Sequence, residues 1–397
     1  MRPRILVYCD FYLPGFKSGG GMWTVVNLVD RFSARYDFYI VTRNYDSKSD
    51  RRPYDTVVTG AWNRVGKAQV FYVSNASFTP ASAAQRFQEV RPDIVFLNSA
   101  FSMPVRQFLR ARRTGRIPER PVVLAPCGEM SEGALSVKPL KKTLFLKLAH
   151  NAGLYKGAIW KASFDSEAEE IRRVMGDVEI LTAPDLAPRA IFPDYNVELK
   201  PEKVPGSARI AFFSRVVPKK NLRYLLECLL KVKGKLHLDI IGPLEDRTYW
   251  GECESIIGVL PPNIRVSVAG AYEHQIDALH RLAESHFFAM PTLNENFGYV
   301  FIEALAVGCP LVISDRTAWS DIEQKGVGRR IPLEDPERYI EALEDCIAMD
   351  GPTFRGMSKR ARAYACDWLA RKEPEDQNAK IFEYAMSIGN EPSVART

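Results

Sequence analysis

The segment PTLNENFGYVFIEALAVGCP, residues 291–310, is the part of the chain from which its architecture is most directly predicted. It follows the short apolar run 287–290, which predicts a buried strand, and leads through a loop containing Gly298 into a helical pattern. A strand, a glycine loop and a helix N-terminus in this order favour an anion-binding site, because the first backbone N–H groups of a helix point at the ligand.

Two glutamates frame this loop: Glu295 precedes it, and Glu303 lies inside the predicted helix with seven residues between them. A carboxylate at each end can accept hydrogen bonds from sugar hydroxyls on both sides of a diphosphate. Taken alone, the two glutamates could equally be solvated surface carboxylates. The surrounding N-F-G and E-A-L-A-x-G-x-P elements favour a binding site.

Short apolar runs alternate with amphipathic stretches on both sides of this segment, and the proline-rich stretch 184–207 interrupts the pattern. The alternation predicts βαβ units and parallel sheets that are covered on both faces. We therefore predict an α/β protein with two Rossmann-like domains that face each other across a cleft. The predicted parts are an N-terminal domain over 1–190, a linker over 191–206, a second domain over 207–370, and a C-terminal helical stretch over 371–397 that could fold back onto the first domain.

The composition is that of a globular protein, with 46% hydrophobic and 26% charged residues among 397. The net charge of +6 is uneven, since residues 101–160 carry 11 Lys or Arg against 3 Asp or Glu. Such a basic region predicts an anionic partner: a phosphorylated substrate, a membrane surface or nucleic acid.

Seven scattered cysteines without a C-x-x-C argue against disulfides and structural zinc, and the apolar runs are too short to span a membrane. We therefore expect a cytoplasmic protein.

The Glu–x7–Glu element, with its loop and helix, resembles the donor site of retaining glycosyltransferases of family 4, which have the GT-B fold. The resemblance is fullest over about 207–345 and extends in part to 1–45 and 90–190. It implies that Glu303 binds the ribose hydroxyls of a nucleoside-diphosphate sugar and that Glu295 binds the sugar hydroxyls. It also implies donor contacts from the backbone N–H groups of the residues between them, namely Asn296, Phe297, Gly298 and Tyr299.

Arg215 and Lys220 lie in the segment FFSRVVPKKN, directly after the predicted strand 210–213. The two cations can converge on one diphosphate, Arg as a bidentate fork and Lys as a point charge. The pair is similar to the R-x4-K pair of the family, which implies that it neutralises the leaving nucleoside diphosphate. The alternative is a solvated basic loop.

Gly19 and Gly20 belong to the loop YLPGFKSGGG, between the first predicted strand and its helix, where glycine lets the backbone approach a phosphate. The spacing is not G-x-G-x-x-G, and the second strand ends at Thr42 and Arg43 without an acidic ribose ligand. Both points argue against an NAD-dependent oxidoreductase. The loop is similar to the glycine pair of the family, which implies donor binding, whereas the alternative is an ordinary surface loop.

The loop APCGEMSEGALS, residues 125–136, lies where many family members have a histidine that contacts the transferred sugar, and this chain has none there. It resembles a branch of the family with a P-x-G-E-type loop. This makes Glu129 the candidate for contact with the acceptor or the donor sugar, with Asn98 and Ser99 as acceptor-binding neighbours. The alternative is that Glu129 is a loop carboxylate that accepts a structural hydrogen bond.

These features together predict a retaining glycosyltransferase that moves a sugar from a nucleoside-diphosphate sugar to a hydroxyl of a glycan or lipid-linked glycan, in polysaccharide or cell-surface glycan biosynthesis. The predicted catalytic residues are Arg215, Lys220, Glu295 and Glu129. No metal, other cofactor or nucleic acid is expected, because the sequence has neither a cluster with metal-ligand spacing nor a D-x-D element. The alternatives are a GT-B sugar-nucleotide epimerase or phosphorylase, and a non-catalytic nucleotide-binding module.

Residues 138–156, KPLKKTLFLKLAHNAGLYK, predict a basic helix of moderate amphipathicity. Leu144, Phe145 and Leu148 share its apolar arc, and Lys147 lies on the other. We predict that this segment binds an anionic membrane surface, which would place the protein at the inner face of the plasma membrane. The alternative is a helix packed on the core with a basic edge.

Overall fold

The computed structural model describes residues 2–47, 50–136 and 139–389, which form two compact units. Unit 1 comprises Met1–Ala187 and Lys372–Thr397, and unit 2 comprises Pro188–Arg371. The predicted linker 191–206 is therefore not a separate connection but a part of unit 2.

The start of unit 2 is fixed to its body by half-buried cations that donate hydrogen bonds to backbone oxygens. Arg362 donates hydrogen bonds to the carbonyls of residues 191–193, at 3.0–3.3 Å, and to that of Ala306 at 2.6 Å. Lys200 donates in the same way to Ala283 and Ser285. These contacts join the proline-rich segment to unit 2, which the sequence pattern did not indicate.

Unit 1 contains an eight-stranded sheet with the order β3-β4-β2-β1-β5-β6-β7-β8. Neighbouring strands are parallel except for β3 and β4. The strands are β1 (Arg4–Tyr8), β2 (Asp37–Arg43), β3 (Trp62–Val65), β4 (Ala68–Val73), β5 (Ile94–Asn98), β6 (Val122–Ala125), β7 (Ala158–Ala162) and β8 (Ile180–Thr182). The helices are α1 (Gly20–Phe32), α2 (Pro80–Val90), α3 (Met103–Arg113), α4 (Glu132–Ser136), α5 (Pro139–Asn151) and α6 (Asp165–Met175).

Unit 2 contains a six-stranded, fully parallel sheet with the order β11-β10-β9-β12-β13-β14. The strands are β9 (Ser207–Phe213), β10 (Lys235–Ile241), β11 (Ile264–Gly270), β12 (Phe287–Met290), β13 (Leu311–Ser314) and β14 (Gly328–Ile331). The helices are α7 (Leu222–Leu229), α8 (Arg247–Ile257), α9 (Gln275–Ala283), α10 (Tyr299–Ala306), α11 (Pro336–Ala348) and α12 (Gly351–Ala370). Both units thus have the predicted Rossmann-like α/β architecture.

A last helix, α13 (Glu373–Gly389), lies in unit 1, although it follows unit 2 in the chain. Phe382 holds it there, with ring centroids 5.7 Å from Phe32, 5.5 Å from Tyr36 and 6.2 Å from Phe96. The helix therefore covers, together with α1, the face of the unit 1 sheet opposite α2 and α3.

The strand order reverses between β1 and β5 in unit 1 and between β9 and β12 in unit 2. Open α/β sheets bind ligands at the carboxyl ends of the strands at such a reversal. In unit 2 these ends lead into the loops that contain Lys220 and Glu295, and in unit 1 into those that contain Gly19 and Ser99. Of the helices described, none is both long and apolar enough to cross a membrane.

Candidate active site

The loops that follow β9 and β12 are held side by side by hydrogen bonds. Thr292 is fully buried, and its Oγ1 donates to the backbone oxygen of Lys219 at 3.0 Å. The N–H of Leu293 donates to the same oxygen at 2.9 Å. Ser314, at the end of β13, donates from Oγ to the carbonyl of Thr292 at 2.6 Å. Three consecutive strand ends of the sheet therefore support one site.

Lys220 and Glu295 form an ion pair at this site, with side chains that are 11% and 12% exposed. Burial lowers the pKa of Lys220. Burial alone would raise the pKa of Glu295, but the positive charges of Lys220 and Lys219 outweigh it and hold that pKa below its ordinary value. Glu295 is therefore an ionised carboxylate that orients the ammonium group beside it.

Arg215 is half-buried and donates from Nη1 to an Oε2 atom of Glu245 at 2.7 Å. Glu245 follows β10, the neighbour of β9 in the sheet. Glu245 could not be identified from the sequence, because thirty residues separate it from Arg215 and no local motif links the two. Both predicted diphosphate-binding cations thus have a carboxylate partner in the folded chain.

The loop before α10 depends on Gly298, which has φ 74°. A Cβ atom there would lie 2.5 Å from the ring of Phe301 and 2.9 Å from Cγ of Glu295. Phe297 and Tyr299 are buried on either side of it, and Trp319 donates from Nε1 to the carbonyl of Phe297 at 2.6 Å. The side chains of Phe297 and Tyr299 pack inward. The predicted contacts of these two residues with the nucleotide sugar can therefore come only from their backbone N–H groups.

Glu303 lies in the second turn of α10 and is 6% exposed. Burial raises its pKa to about 7, and a hydrogen bond from Nε2 of Gln275 to its Oε1 opposes this shift. Gln275 begins α9, and the sequence analysis gave it no role in the site. Its amide fixes the orientation of the carboxylate that was predicted to bind ribose.

In unit 1 the glycine loop and the end of β5 are joined to each other. Gly19 precedes α1 with φ 76°, a conformation that favours glycine, and Gly20 is the first residue of the helix. Asn98, the last residue of β5, donates from Nδ2 to the carbonyl of Gly21 at 3.0 Å. Asn98 therefore positions the loop, and a contact with an acceptor remains a prediction.

Glu129 is held by the segment that precedes α3. Its carboxylate accepts hydrogen bonds from Oγ of Ser99 and N–H of Ala100, both at 2.7 Å, and from N–H of Phe101 at 3.3 Å. Burial raises its pKa, while these three donors act in the opposite direction. The structure thus gives Glu129 the structural hydrogen bonds that the sequence allowed as the alternative, and Ser99 provides one of them. A catalytic role for Glu129 remains a prediction.

Unit 1 contains two further sets of buried charged groups that were not predicted, and the first of them supports the Glu129 loop. Glu167 accepts hydrogen bonds from the N–H groups of Gly128 at 2.5 Å and Ser163 at 2.7 Å. Lys161 and Asp185, each 3% exposed, form an ion pair at 2.9 Å. In the part of the chain that the structure describes, no group of three or more His, Cys, Asp or Glu side chains is arranged to hold a metal ion.

The chain resembles known proteins in one segment by sequence and along its whole length by structure. Residues 207–349 match the family model described as glycosyl transferases group 1. No curated protein matches the chain in sequence.

Three solved structures illustrate the similarity of the whole chain. A sucrose-phosphate synthase from Thermosynechococcus elongatus has a TM-score of 0.72 at 16% identity, over 98% of this chain and 100% of its own. HepE from Anabaena, in complex with UDP and glucose, has a TM-score of 0.67 at 17% identity, over 97% and 100%. WaaG, a glycosyltransferase involved in lipopolysaccharide biosynthesis, has a TM-score of 0.66 at 14% identity, over 98% and 100%.

The two α/β units and the similar structures show the GT-B fold. The family match over residues 207–349 gives the class of protein, a glycosyltransferase. Its second unit carries a glycosyltransferase group 1 domain over residues 207–349. The predicted fold, the predicted enzyme class and the resemblance to group 1 are thereby confirmed. Membership of family 4 stays a prediction.

Proposed function

We propose that the protein is a retaining glycosyltransferase that moves a sugar from a nucleoside-diphosphate sugar to a hydroxyl of a glycan or lipid-linked glycan. The observation that carries this proposal is the arrangement of Arg215, Lys220 and Glu295 at the strand reversal of unit 2, above the N-terminus of α10. The similar protein HepE has been solved in complex with UDP-glucose, which makes a uridine diphosphate sugar the first donor to test.

In the proposed reaction the two cations stabilise the diphosphate that develops negative charge as the bond to the sugar breaks. Fixed charges aimed at such a group are usually the largest contribution to catalysis. Arg215 and Lys220 are already oriented by Glu245 and Glu295, so little reorganisation is needed. Glu295 also accepts hydrogen bonds from the sugar hydroxyls, and Glu303 accepts them from the ribose.

The proposal is tested by a thermal-shift panel of UDP-, GDP-, dTDP- and ADP-sugars, followed by turnover of the stabilising donor with glycan and lipid-linked acceptors. A product with the anomeric configuration of the donor supports retention, and an inverted product contradicts it. Turnover that needs only inorganic phosphate would indicate a phosphorylase, and acceptor-free isomerisation an epimerase. Binding without any turnover would indicate a nucleotide-binding module.

We further propose an acceptor from polysaccharide or cell-surface glycan biosynthesis and a location at the cytoplasmic face of the membrane. The basic region 101–160 supports this location, because an enzyme that acts on lipid-linked glycans must work at an anionic surface. Among the similar structures, WaaG is described as acting in lipopolysaccharide biosynthesis.

We expect donor affinity to depend on pH through Glu303. The carboxylate form accepts hydrogen bonds from both ribose hydroxyls, and with a pKa of about 7 it is lost as the pH falls below that value. Donor affinity should therefore decrease up to about tenfold between pH 8 and pH 6. Isothermal titration of the donor nucleotide against wild type and Glu303→Gln measures this effect, and the variant should show a flat profile.

The exposed Glu254→Gln is the matched control and should retain the wild-type profile. Glu303→Ala should bind the donor more weakly by about 1–3 kcal/mol, because it loses charge-assisted hydrogen bonds. A folded Glu303→Ala variant with unchanged donor affinity would rule out the ribose assignment.

We also expect transfer to proceed without a divalent cation, because Arg215 and Lys220 supply the charge that a metal would supply elsewhere. Initial rates in excess EDTA should equal those in magnesium or manganese. A rate that disappears in EDTA and returns with either metal would contradict the assignment of the diphosphate site.

A further inference from the structure

Helix α5 exposes a stripe of leucines that no other part of the described chain covers. Leu140, Leu144 and Leu148 are 86%, 60% and 60% exposed, and their spacing of four residues places them on one side of the helix. The opposite side is covered, since Ala149 is 4% exposed and Phe145 packs against the core of unit 1. The apolar arc predicted for Leu144, Phe145 and Leu148 is therefore divided: the core takes Phe145, and the two leucines are exposed.

The surroundings of this leucine stripe are cationic. The sequence of α5 contains three lysines and no Asp or Glu, and Lys147 is exposed beside the stripe. From α3, Arg113 donates from Nε to the carbonyl of Ala152 at 2.7 Å, and Arg112 donates from Nη1 to that of Lys156 at 2.7 Å. Both bonds fix arginines next to the segment that follows α5.

The lysines of α5 contribute less exposed charge for membrane binding than the sequence predicted. Lys142 is half-buried, because its Nζ donates to the carbonyl of Ala134 and lies 5.7 Å from the ring centroid of Phe101. Lys138 and the side chain of Lys141, which the sequence prediction included, lie outside the described residues. The exposed apolar surface is the larger feature of the helix.

We propose that α5 docks unit 1 on an anionic lipid surface, with the leucine stripe inserted at the level of the headgroups. Interfacial helices bind in this way when an apolar stripe and neighbouring cations act together. A second copy of the chain is a poorer occupant. At a two-fold interface the stripe would meet itself, and the cations that border it would face each other.

The proposal extends the proposed location in two respects. It names α5 as the part of the protein that contacts the lipid, and it names insertion of the leucine stripe, assisted by the neighbouring cations, as the interaction. Because it concerns the chain without donor or acceptor, it can fail while sugar transfer is confirmed, and the reverse also holds. The experiment is co-sedimentation of the full chain with vesicles of phosphatidylcholine, with and without one third phosphatidylglycerol, at 0.05 M and 0.5 M salt.

We expect wild type to sediment with the anionic vesicles and to be partly released by salt, which screens the charge contribution and leaves the apolar one. Leu144→Asp should lower the partition coefficient by about tenfold or more, because one leucine side chain no longer leaves water. Leu199→Asp is the matched control: Leu199 is 76% exposed in unit 2 and should not contribute. Lys147→Glu should have a smaller effect that disappears at high salt.

A second measurement reports insertion directly. The fluorescence of Leu144→Trp should shift to shorter wavelength when anionic vesicles are added, whereas that of Leu199→Trp should not. The proposal is wrong if wild type ignores anionic vesicles at low salt, or if Leu144→Asp binds as wild type does. It is also wrong if wild type is a dimer that Leu144→Asp dissociates without affecting sedimentation.

Discussion

Replacing Lys220 with methionine is expected to lower the rate of sugar transfer by about a thousandfold, the upper range for removal of one fixed electrostatic donor. Lys220 is buried at the strand reversal of unit 2, and its ammonium is held by Glu295. Methionine keeps an unbranched side chain, one atom shorter, and removes the charge together with its hydrogen-bond donors. Steady-state kinetics with the identified donor and acceptor measure the effect.

The same substitution should also destabilise unit 2, by about 3–5 kcal/mol, because it leaves the carboxylate of Glu295 buried without its partner. The double variant Lys220→Met/Glu295→Gln removes both charges and should recover much of the stability while transfer stays slow. Urea denaturation of the two variants separates the structural contribution of the pair from its catalytic one.

Lys219→Met is the matched control, since Lys219 precedes Lys220 in the same turn but contributes its backbone oxygen to the site. It should retain most of the activity. A Lys220→Met variant that binds the donor and turns over like wild type would show that this cation does not contact the diphosphate.

Gly242→Ala is expected to produce the second large effect. Gly242 follows β10 with φ 139°, and a Cβ atom there would lie 2.1 Å from the backbone oxygen of Ser214 and 3.3 Å from the nitrogen of Arg215. An atom cannot be accommodated at that distance, so the end of β9 has to move. We expect a loss of about 2–4 kcal/mol from overpacking and backbone strain.

Donor affinity should fall together with stability, because the displaced backbone carries Arg215. Urea unfolding and nucleotide titration measure the two effects on one preparation. Gly258→Ala is the control: this glycine at the end of α8 has φ −64°, and its nearest Cβ contact is 3.6 Å. If Gly242→Ala is as stable as wild type and binds the donor equally well, the close approach of the two strand ends does not matter for the site.

The buried strands could be predicted from sequence because their residues are apolar on both faces. The apolar runs 122–125, 287–290 and 311–314 predict strands, and β6, β12 and β13 have these boundaries with all their residues buried. The edge strands β3 and β14 were not predicted, because WNRV and GRRI each have two adjacent polar residues and so form neither an apolar run nor an alternating pattern. Helices α8 and α12 were missed as well, and α12 has only a weak apolar face.

The sequence also located the residues that come together in unit 2 as the candidate donor site. The Glu–x7–Glu element and the Arg215–Lys220 pair are local, because a strand end, a loop and the following helix N-terminus occupy a fixed distance along the chain. The geometry of such a local motif does not depend on contacts with distant parts of the chain. The carboxylate partner Glu245 and the amide partner Gln275 are different, since they reach the site from separate strand–helix connections.

What the sequence could not supply are the contacts between elements that are distant in the chain. Hydrophobic periodicity indicates that a helix has an apolar face, but it does not show which apolar residues pack against another element of the fold. In α5 the core covers Phe145 and Ala149 and leaves Leu144 and Leu148 in solvent. The same holds for α13, which joins unit 1 through Phe382, and for Glu129, whose three hydrogen-bond donors belong to another strand end. Local patterns follow from backbone geometry and burial, whereas the choice of packing partner depends on the whole fold, because only there do distant side chains compete for the same space.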